Sequence, residues 1–380
     1  MKKGMLMTII LLGWLLTACS PAASTPMPLS ATPEPVPTQT PIRIVETVVV
    51  EATPVPTEAT PEVKYPTMHV PLCWMYNDEF IGLAAAIDQG YYAEAGFKGI
   101  ELLSGGGTTG LIPMVAINGF DPSFRIGVQA SMAEIIQAYA EGIDVVAVGA
   151  LQQSEPVGFL TLITEDRRAQ SPCDFQGRVV SMQQTATWYV DALGALCDDP
   201  GPLVSGVDFT VIPAGWAPDC LLSGQCDFYC AWETNQPYVF DQLGMEEGKD
   251  YEMFLASEFL PFYYADVLVT NRVFLEENPE LVRDFVGASI KGLEYVLDNP
   301  EEGIAIAGEI ELMDPAHAAW RIPVQNELAV SGDTLAKGLG WINPEKVQEI
   351  IDFLYEHGQI SRTFEASEIV DNSFLPEING

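Results

Sequence analysis

The stretch Cys73-Trp74-Met75-Tyr76-Asn77-Asp78-Glu79-Phe80-Ile81-Gly82 lies between a run that reads as a strand, Met68 to Leu72, and one that reads as a helix, Gly82 to Gln89. In an open α/β sheet such a junction is the carboxyl end of a strand, which is where these sheets bind ligands. Two large rings and several hydrogen-bonding groups stand close together there, a mixture that few purely structural loops require. The stretch is therefore expected to form the floor of a small-molecule pocket. Trp74, Tyr76, Asn77 and Glu79 are its candidate contacts, whereas Met75 reads as packing and Asp78 as a cap for the helix start.

The same sequence of strand, polar tip and helix recurs downstream. Ile100 to Leu103 runs into Ser104-Gly105-Gly106-Gly107-Thr108-Thr109-Gly110. Such a loop lets backbone N–H groups approach a ligand, or serves as a plain turn. No Gly-Lys-Ser/Thr follows it, so it is not a nucleotide phosphate loop. Phe124 to Val128 ends in Gln129-Ala130-Ser131, and Val145 to Leu151 ends in Gln152-Gln153-Ser154. This alternation predicts a doubly wound, parallel α/β sheet with ligand groups gathered at one edge. A second set of tips follows: Gln184, Thr185 and Trp188 after Phe175 to Ser181, then Trp232, Glu233 and Asn235, then Tyr263 and Tyr264. From Asn271 onward the pattern is mainly helical, and Trp320 and Trp341 read as core residues there.

The chain has 380 residues, 48% of them apolar, which is enough for two domains with substantial cores. Its formal charge of −36 repels phosphate backbones and excludes nucleic acid as a partner. At the start, Met1-Lys2-Lys3 precedes the apolar run Met5 to Leu16. That run is too short for a good membrane span and fits an export signal. Leu16-Thr17-Ala18-Cys19 resembles a bacterial lipobox, which implies cleavage before Cys19 and lipid attachment to it. Residues 1–18 are thus expected to be a lipoprotein signal peptide. Residues 19–66, rich in Pro and Thr, are expected to be a stalk that lifts the body off the extracytoplasmic face of the cell membrane. Six further cysteines, Cys73, Cys173, Cys197, Cys220, Cys226 and Cys230, allow 15 pairings. Disulfides rank ahead of a zinc site, with at least one local bridge expected among Cys220, Cys226 and Cys230.

The run Val269-Thr270-Asn271-Arg272-Val273-Phe274-Leu275-Glu276-Glu277-Asn278-Pro279-Glu280-Leu281-Val282-Arg283-Asp284-Phe285, with Asn299-Pro300-Glu301-Glu302 beyond it, resembles a periplasmic-binding-protein family. The family serves thiamine-pyrimidine and riboflavin importers and is related to sulfonate- and nitrate-binding proteins. Trp74, Asn77, Gly82, Gly90-Tyr91-Tyr92, Gly96 and Ser104-Gly105-Gly106 fit the same pattern, so the resemblance covers Met68 to Glu356. It implies a type II binding-protein fold, two doubly wound α/β lobes joined by two crossovers. Lobe one is expected at 67–154 plus 269–380 and lobe two at 155–268. It also implies a solute-binding subunit that delivers its ligand to an ABC permease, with no cofactor and no resident metal. Some relatives, the yeast-type thiamine-pyrimidine synthases, are enzymes and use a Cys-Cys-Cys-Phe-Cys motif. The corresponding place here reads Leu260-Pro261-Phe262-Tyr263-Tyr264, so an enzyme is not expected.

The aromatic tips suit a flat heteroaromatic ligand, and their amides suit its ring nitrogens and carbonyls. No Arg or Lys stands at the tips, which argues against an anionic ligand. Riboflavin ranks ahead of a thiamine pyrimidine precursor, because tips this rich in aromatics could take a tricyclic ring. For any one of these aromatics, packing in the core is the competing role.

Overall fold

The longest strand among the described residues is Val145–Gln152, in which every residue is buried. Its run of β-branched and small apolar residues is what a strand covered on both faces requires. The structure, a computed structural model, describes residues 62–106, 111–117, 121–182, 187–213, 215–310 and 313–377. The expected signal, Cys19 and the stalk as far as residue 61 lie outside the described residues. So do Gln184, Thr185 and the side chain of Trp188.

Lobe one holds β1 (Tyr65–Pro71), β2 (Phe97–Leu103), β3 (Ile126–Ser131) and β4 (Val145–Gln152). Lobe two holds β5 (Val157–Leu162), β6 (Val179–Met182), β7 (Thr210–Pro213), β8 (Phe228–Trp232) and β9 (Tyr251–Leu255). The last strand, β10 (Ala265–Asn271), returns to lobe one and pairs with β3 and β4. β1 pairs with β2 in parallel, and a parallel bridge from Leu72 to Val128 joins β1 to β3. Lobe one therefore runs β2-β1-β3-β10-β4, and lobe two runs β7-β6-β8-β5-β9.

The two orders are the same pattern. In each lobe the strand that follows a crossover, β10 or β5, is inserted antiparallel beside the last of the other strands. The fold is the expected two-lobe α/β architecture with two crossovers. It differs from expectation in that each sheet is mixed rather than parallel. β10 also begins at Ala265, so residues 265–268 pair within lobe one rather than lobe two.

Helix packing fixes the opening stretch. Helix Ile81–Asp88 buries Ile81 to Ala86 and lies across helix Pro279–Asp298 at two glycines. A Cβ on Gly292 would stand 2.1 Å from the carbonyl oxygen of Gly82. Only glycine permits that approach, and the approach sets where residues 73–80 emerge. Gly105 serves the same end, because a Cβ there would stand 2.0 Å from the Leu72 carbonyl. Its N–H instead donates to the Trp74 carbonyl at 2.8 Å. Gly105 thus packs on the end of β1.

Cys173–Cys197 and Cys220–Cys226 form disulfides, the second being the expected local bridge. Cys73 and Cys230 are free and buried. No helix among the described residues is long and apolar enough to cross a membrane.

Candidate functional site at the seam of the two lobes

The carboxyl ends of β1, β3 and β4 and the amino end of β10 meet at one edge of lobe one. In the opening stretch, the Asn77 side chain accepts from the Glu79 amide at 2.9 Å and caps the turn Asp78–Phe80. Asn77, and not Asp78, is the cap. Asp78 is fully buried and bonds to His317 and Arg321. His317 Nδ1 lies 2.8 Å from its Oδ2, and Arg321 Nη1 lies 3.0 Å from its Oδ1. Burial pushes the Asp78 carboxyl up, but the His317 hydrogen bond and the Arg321 guanidinium outweigh it and hold the carboxyl below its usual range.

Arg321 comes from helix Pro315–Ala329 and organises the edge. Its Nη2 lies 3.2 Å from Glu79 Oε2 and 3.5 Å from Thr234 Oγ1 in lobe two. Its Nε donates to Gln325 Oε1 at 3.2 Å, and the Gln325 amide donates to the Glu79 carbonyl at 2.5 Å. A basic residue therefore does stand at the site, contrary to the reading of the tips. Its guanidinium is paired with Asp78 and Glu79, so it is not open to an anionic ligand.

Asp266 lies at the start of β10 with a left-handed backbone, φ +49°, two residues after Tyr264 at φ +68°. Non-glycine residues occupy that region at a cost, and such costs gather at functional sites. Gln152 Nε2 donates to Asp266 Oδ2 at 2.7 Å, and the Cys73 thiol lies 3.8 Å from Oδ1. Burial first, then the charge of Glu79, pushes the Asp266 carboxyl well above the ordinary range. A side-chain hydrogen bond with Glu79 pushes it the same way. Cys73, Glu79 and Asp266 each bring a ligand atom within 4.8 Å of the others, a set that could hold a cation. With Arg321 already on Glu79 and a proton favoured on Asp266, the set reads as a hydrogen-bonding floor. Two buried acceptors at this edge, Gln129 Oε1 and Gln152 Oε1, have no hydrogen-bond partner among the described residues. Buried acceptors are seldom left so, and a ligand donor would satisfy them.

The remaining expected contacts divide. Trp74 is half-buried against the lobe-one core, and its ring meets Trp216 of lobe two at 4.4 Å between centroids. Tyr76 is half-buried, with burial raising its hydroxyl, and its amide donates to Ser104 Oγ at 3.0 Å. Gln129 donates to Glu134. Trp232 and Glu233 are half-buried at the end of β8, where the Trp232 amide donates to Gln236 Oε1 at 2.7 Å. Asn235 is exposed, while its neighbour Thr234 is the one that faces Arg321. Tyr264 is fully buried in the lobe-one core, and its hydroxyl accepts from the Asn343 amide at 2.8 Å. Tyr263 packs beside it, with its hydroxyl on Glu349 at 3.2 Å. These two tyrosines pack within lobe one.

Three other readings are corrected. Met75 is 56% exposed, so it is not packing. Trp320 is not a core residue: its Nε1 donates to Asp241 Oδ2 across the seam at 2.7 Å. Trp341 is half-buried beneath Lys337. Sequence reading missed Arg321 and Trp216, which stand outside the tips it picked out, and passed over Thr234, which lies inside one between Glu233 and Asn235. A hollow of about 430 Å³ lined by Pro113, Ile117, Asp144 and Asn271 lies at the opposite end of β10 from this site.

Residues 77–303 match the family described as NMT1/THI5 like. The chain belongs to that family. It is similar to a formylaminopyrimidine-binding protein of Halalkalibacterium halodurans, with 24% identity over 63% of this chain and 69% of the relative. It is similar along its whole length to the riboflavin-binding protein RibY of Chloroflexus aurantiacus, with 25% identity over 99% of each chain. Among solved structures it shares its fold with the periplasmic aliphatic sulphonate-binding protein SsuA of Escherichia coli. That match has a TM-score of 0.57 at 14% identity, over 81% of this chain and 99% of the other.

Proposed function

We propose that this NMT1/THI5-like chain is the solute-binding subunit of an ABC importer, anchored by lipid on Cys19 at the extracytoplasmic face of the cell membrane. It captures a small nitrogen heteroaromatic between its lobes, hands it to a permease and performs no chemistry on it. The observation that carries this reading is the seam itself. Trp74 lies beside a buried polar floor of Glu79, Asp266 and Gln152, and the floor is braced by an arginine whose charge is already matched. Such a floor offers donors and acceptors to a ring edge without attracting a free anion. Riboflavin leads as the ligand, supported by the full-length similarity to a riboflavin-binding protein.

A thiamine pyrimidine precursor is the second reading, favoured by Gln152. Its amide N–H is taken by Asp266, which leaves its unpartnered Oε1 to accept from an exocyclic amino group. The similarity to a formylaminopyrimidine-binding protein agrees with it. Native mass spectrometry of ligand carried through purification, followed by titration with riboflavin and with 4-amino-5-hydroxymethyl-2-methylpyrimidine, tests both. Saturable binding of either supports import of that compound. Failure to bind any flavin or pyrimidine sinks the ligand assignment.

A further inference from the structure

Trp216 stands in lobe two, between β7 and the short helix Asp219–Leu222. Its residue is 59% exposed, yet its backbone is held firmly. The hydroxyl of Tyr229 donates to the Gly215 carbonyl at 2.8 Å, and the Gln236 amide donates to the Trp216 carbonyl at 3.3 Å. Tyr229 and Gln236 are themselves buried. Two buried side chains thus hold a loop whose large ring lies outside the lobe-two cores. That ring instead touches Trp74 on the other lobe, with centroids 4.4 Å apart and planes at 53°. A stable pair of rings prefers offset stacking or an edge-to-face arrangement, and 53° is neither.

We infer that Trp216 is the second wall of the binding site. Trp74 and Trp216 form an aromatic clamp with one jaw on each lobe that opens to hold a planar heteroaromatic ring between two indole faces. The inference rests on the reading of the seam as the ligand site. A ring stacked on both sides needs roughly 7 Å between its walls, twice a carbon–carbon contact of about 3.5 Å. The indoles are closer than that and out of parallel. Entry of a ligand therefore requires the lobes to part and the indoles to turn toward parallel. The ligand then replaces one tilted ring contact with two stacked ones, while the floor of Glu79, Asp266 and Gln152 meets its edge. A sugar or an aliphatic solute would gain no such stacking, so the clamp selects flat aromatic solutes.

The test uses the folded chain with Trp74→Ala, Trp216→Ala and Trp216→Phe, each checked by thermal melting. Two indoles in contact couple, so the ligand-free wild type should give a two-signed far-ultraviolet circular dichroism band. Both alanine variants should lose it. With riboflavin and the aminopyrimidine as probes, Trp216→Ala should bind the accepted probe about ten- to hundredfold more weakly, the loss of one stacking face. Trp216→Phe should recover much of that affinity, with its melting temperature close to wild type. If Trp216→Ala binds the probe as well as wild type does, the clamp is overturned while the site reading stands. If neither probe binds wild type, the site reading fails and takes the ligand half of the inference with it. The band then decides the contact alone, and an unchanged band in both alanine variants overturns that as well.

Discussion

Arg321 and Asp78, 243 positions apart in the chain, meet as a buried ion pair with Nη1 3.0 Å from Oδ1. The arginine side chain is 4% exposed and the aspartate side chain 0%. A buried pair of this kind stabilises little compared with an apolar pair, but breaking it is costly. Its position suggests a different service: it fixes helix Pro315–Ala329 against the loop that carries the proposed ligand contacts.

Replacing Arg321 by Ala leaves Asp78 and Glu79 without their guanidinium. The expected loss is about 3–5 kcal/mol of folding stability, read by urea denaturation. Lysine cannot reach Asp78, Glu79 and Gln325 together, so Arg321→Lys should fall between alanine and wild type. A loss below about 1 kcal/mol in the alanine variant would show that the pair is not structural, since exposed pairs contribute in that range.

Glu155 follows β4 at the first crossover and accepts from Ser131 of lobe one and Tyr189 of lobe two. Burial raises its carboxyl from 4.5 to about 7. The folded chain therefore holds this proton more tightly than the unfolded chain. The resulting stability is full below about pH 4.5 and is lost as pH rises toward about 7. Glu155→Gln should flatten the fall in stability over that window, measured as melting temperature against pH. A slope equal to wild type would refute the assignment.

Asp266 carries the same sign, since its carboxyl is raised well above the ordinary range. The neutral amide of Asp266→Asn mimics the protonated acid in size. The variant should be at least as stable as wild type at pH 7 and should gain relative to it as pH rises. It keeps an acceptor for Gln152 and a donor for Glu79, so binding of an accepted probe should lose the dependence on pH that comes from this carboxyl. Marked destabilisation at pH 7 would mean that the carboxylate, and not the acid, is the native form.

Gly292→Ala places a methyl 2.1 Å from the Gly82 carbonyl and 2.6 Å from Ala86 Cβ. The expected net cost is about 1–3 kcal/mol, even after the gain in helix propensity. Probe affinity should fall too, because helix Ile81–Asp88 carries the loop with Trp74 and Glu79. Full stability in the variant would show that the two helices can separate freely.

Much of the architecture was legible from local pattern. Val145 to Leu151 could only be a buried strand, and the tips after β1, β3 and β4 fell where the alternation put them. The antiparallel insertion of β5 and β10 was not legible, because nothing local distinguishes a strand that follows a crossover. At the site, Trp74, Glu79 and Gln152 were found from their place after strands. Arg321 was missed because it sits mid-helix, and only the packing of residues 315–329 onto the seam brings it there. Tyr263 and Tyr264 show the converse. A pair of tyrosines beside a strand looks alike whether its rings face a cleft or, as here, the interior of lobe one.

Glu155 and Asp266 stand at the two places where the chain passes between lobes. Each is a carboxyl that favours its proton in this arrangement. Any rotation of one lobe on the other turns the backbone beside both. By reciprocity, a motion that changes how tightly a proton is held is itself changed by the supply of protons. Opening and closing should therefore exchange protons with the medium, and buffers of different ionisation enthalpy should give different apparent heats for the same binding event.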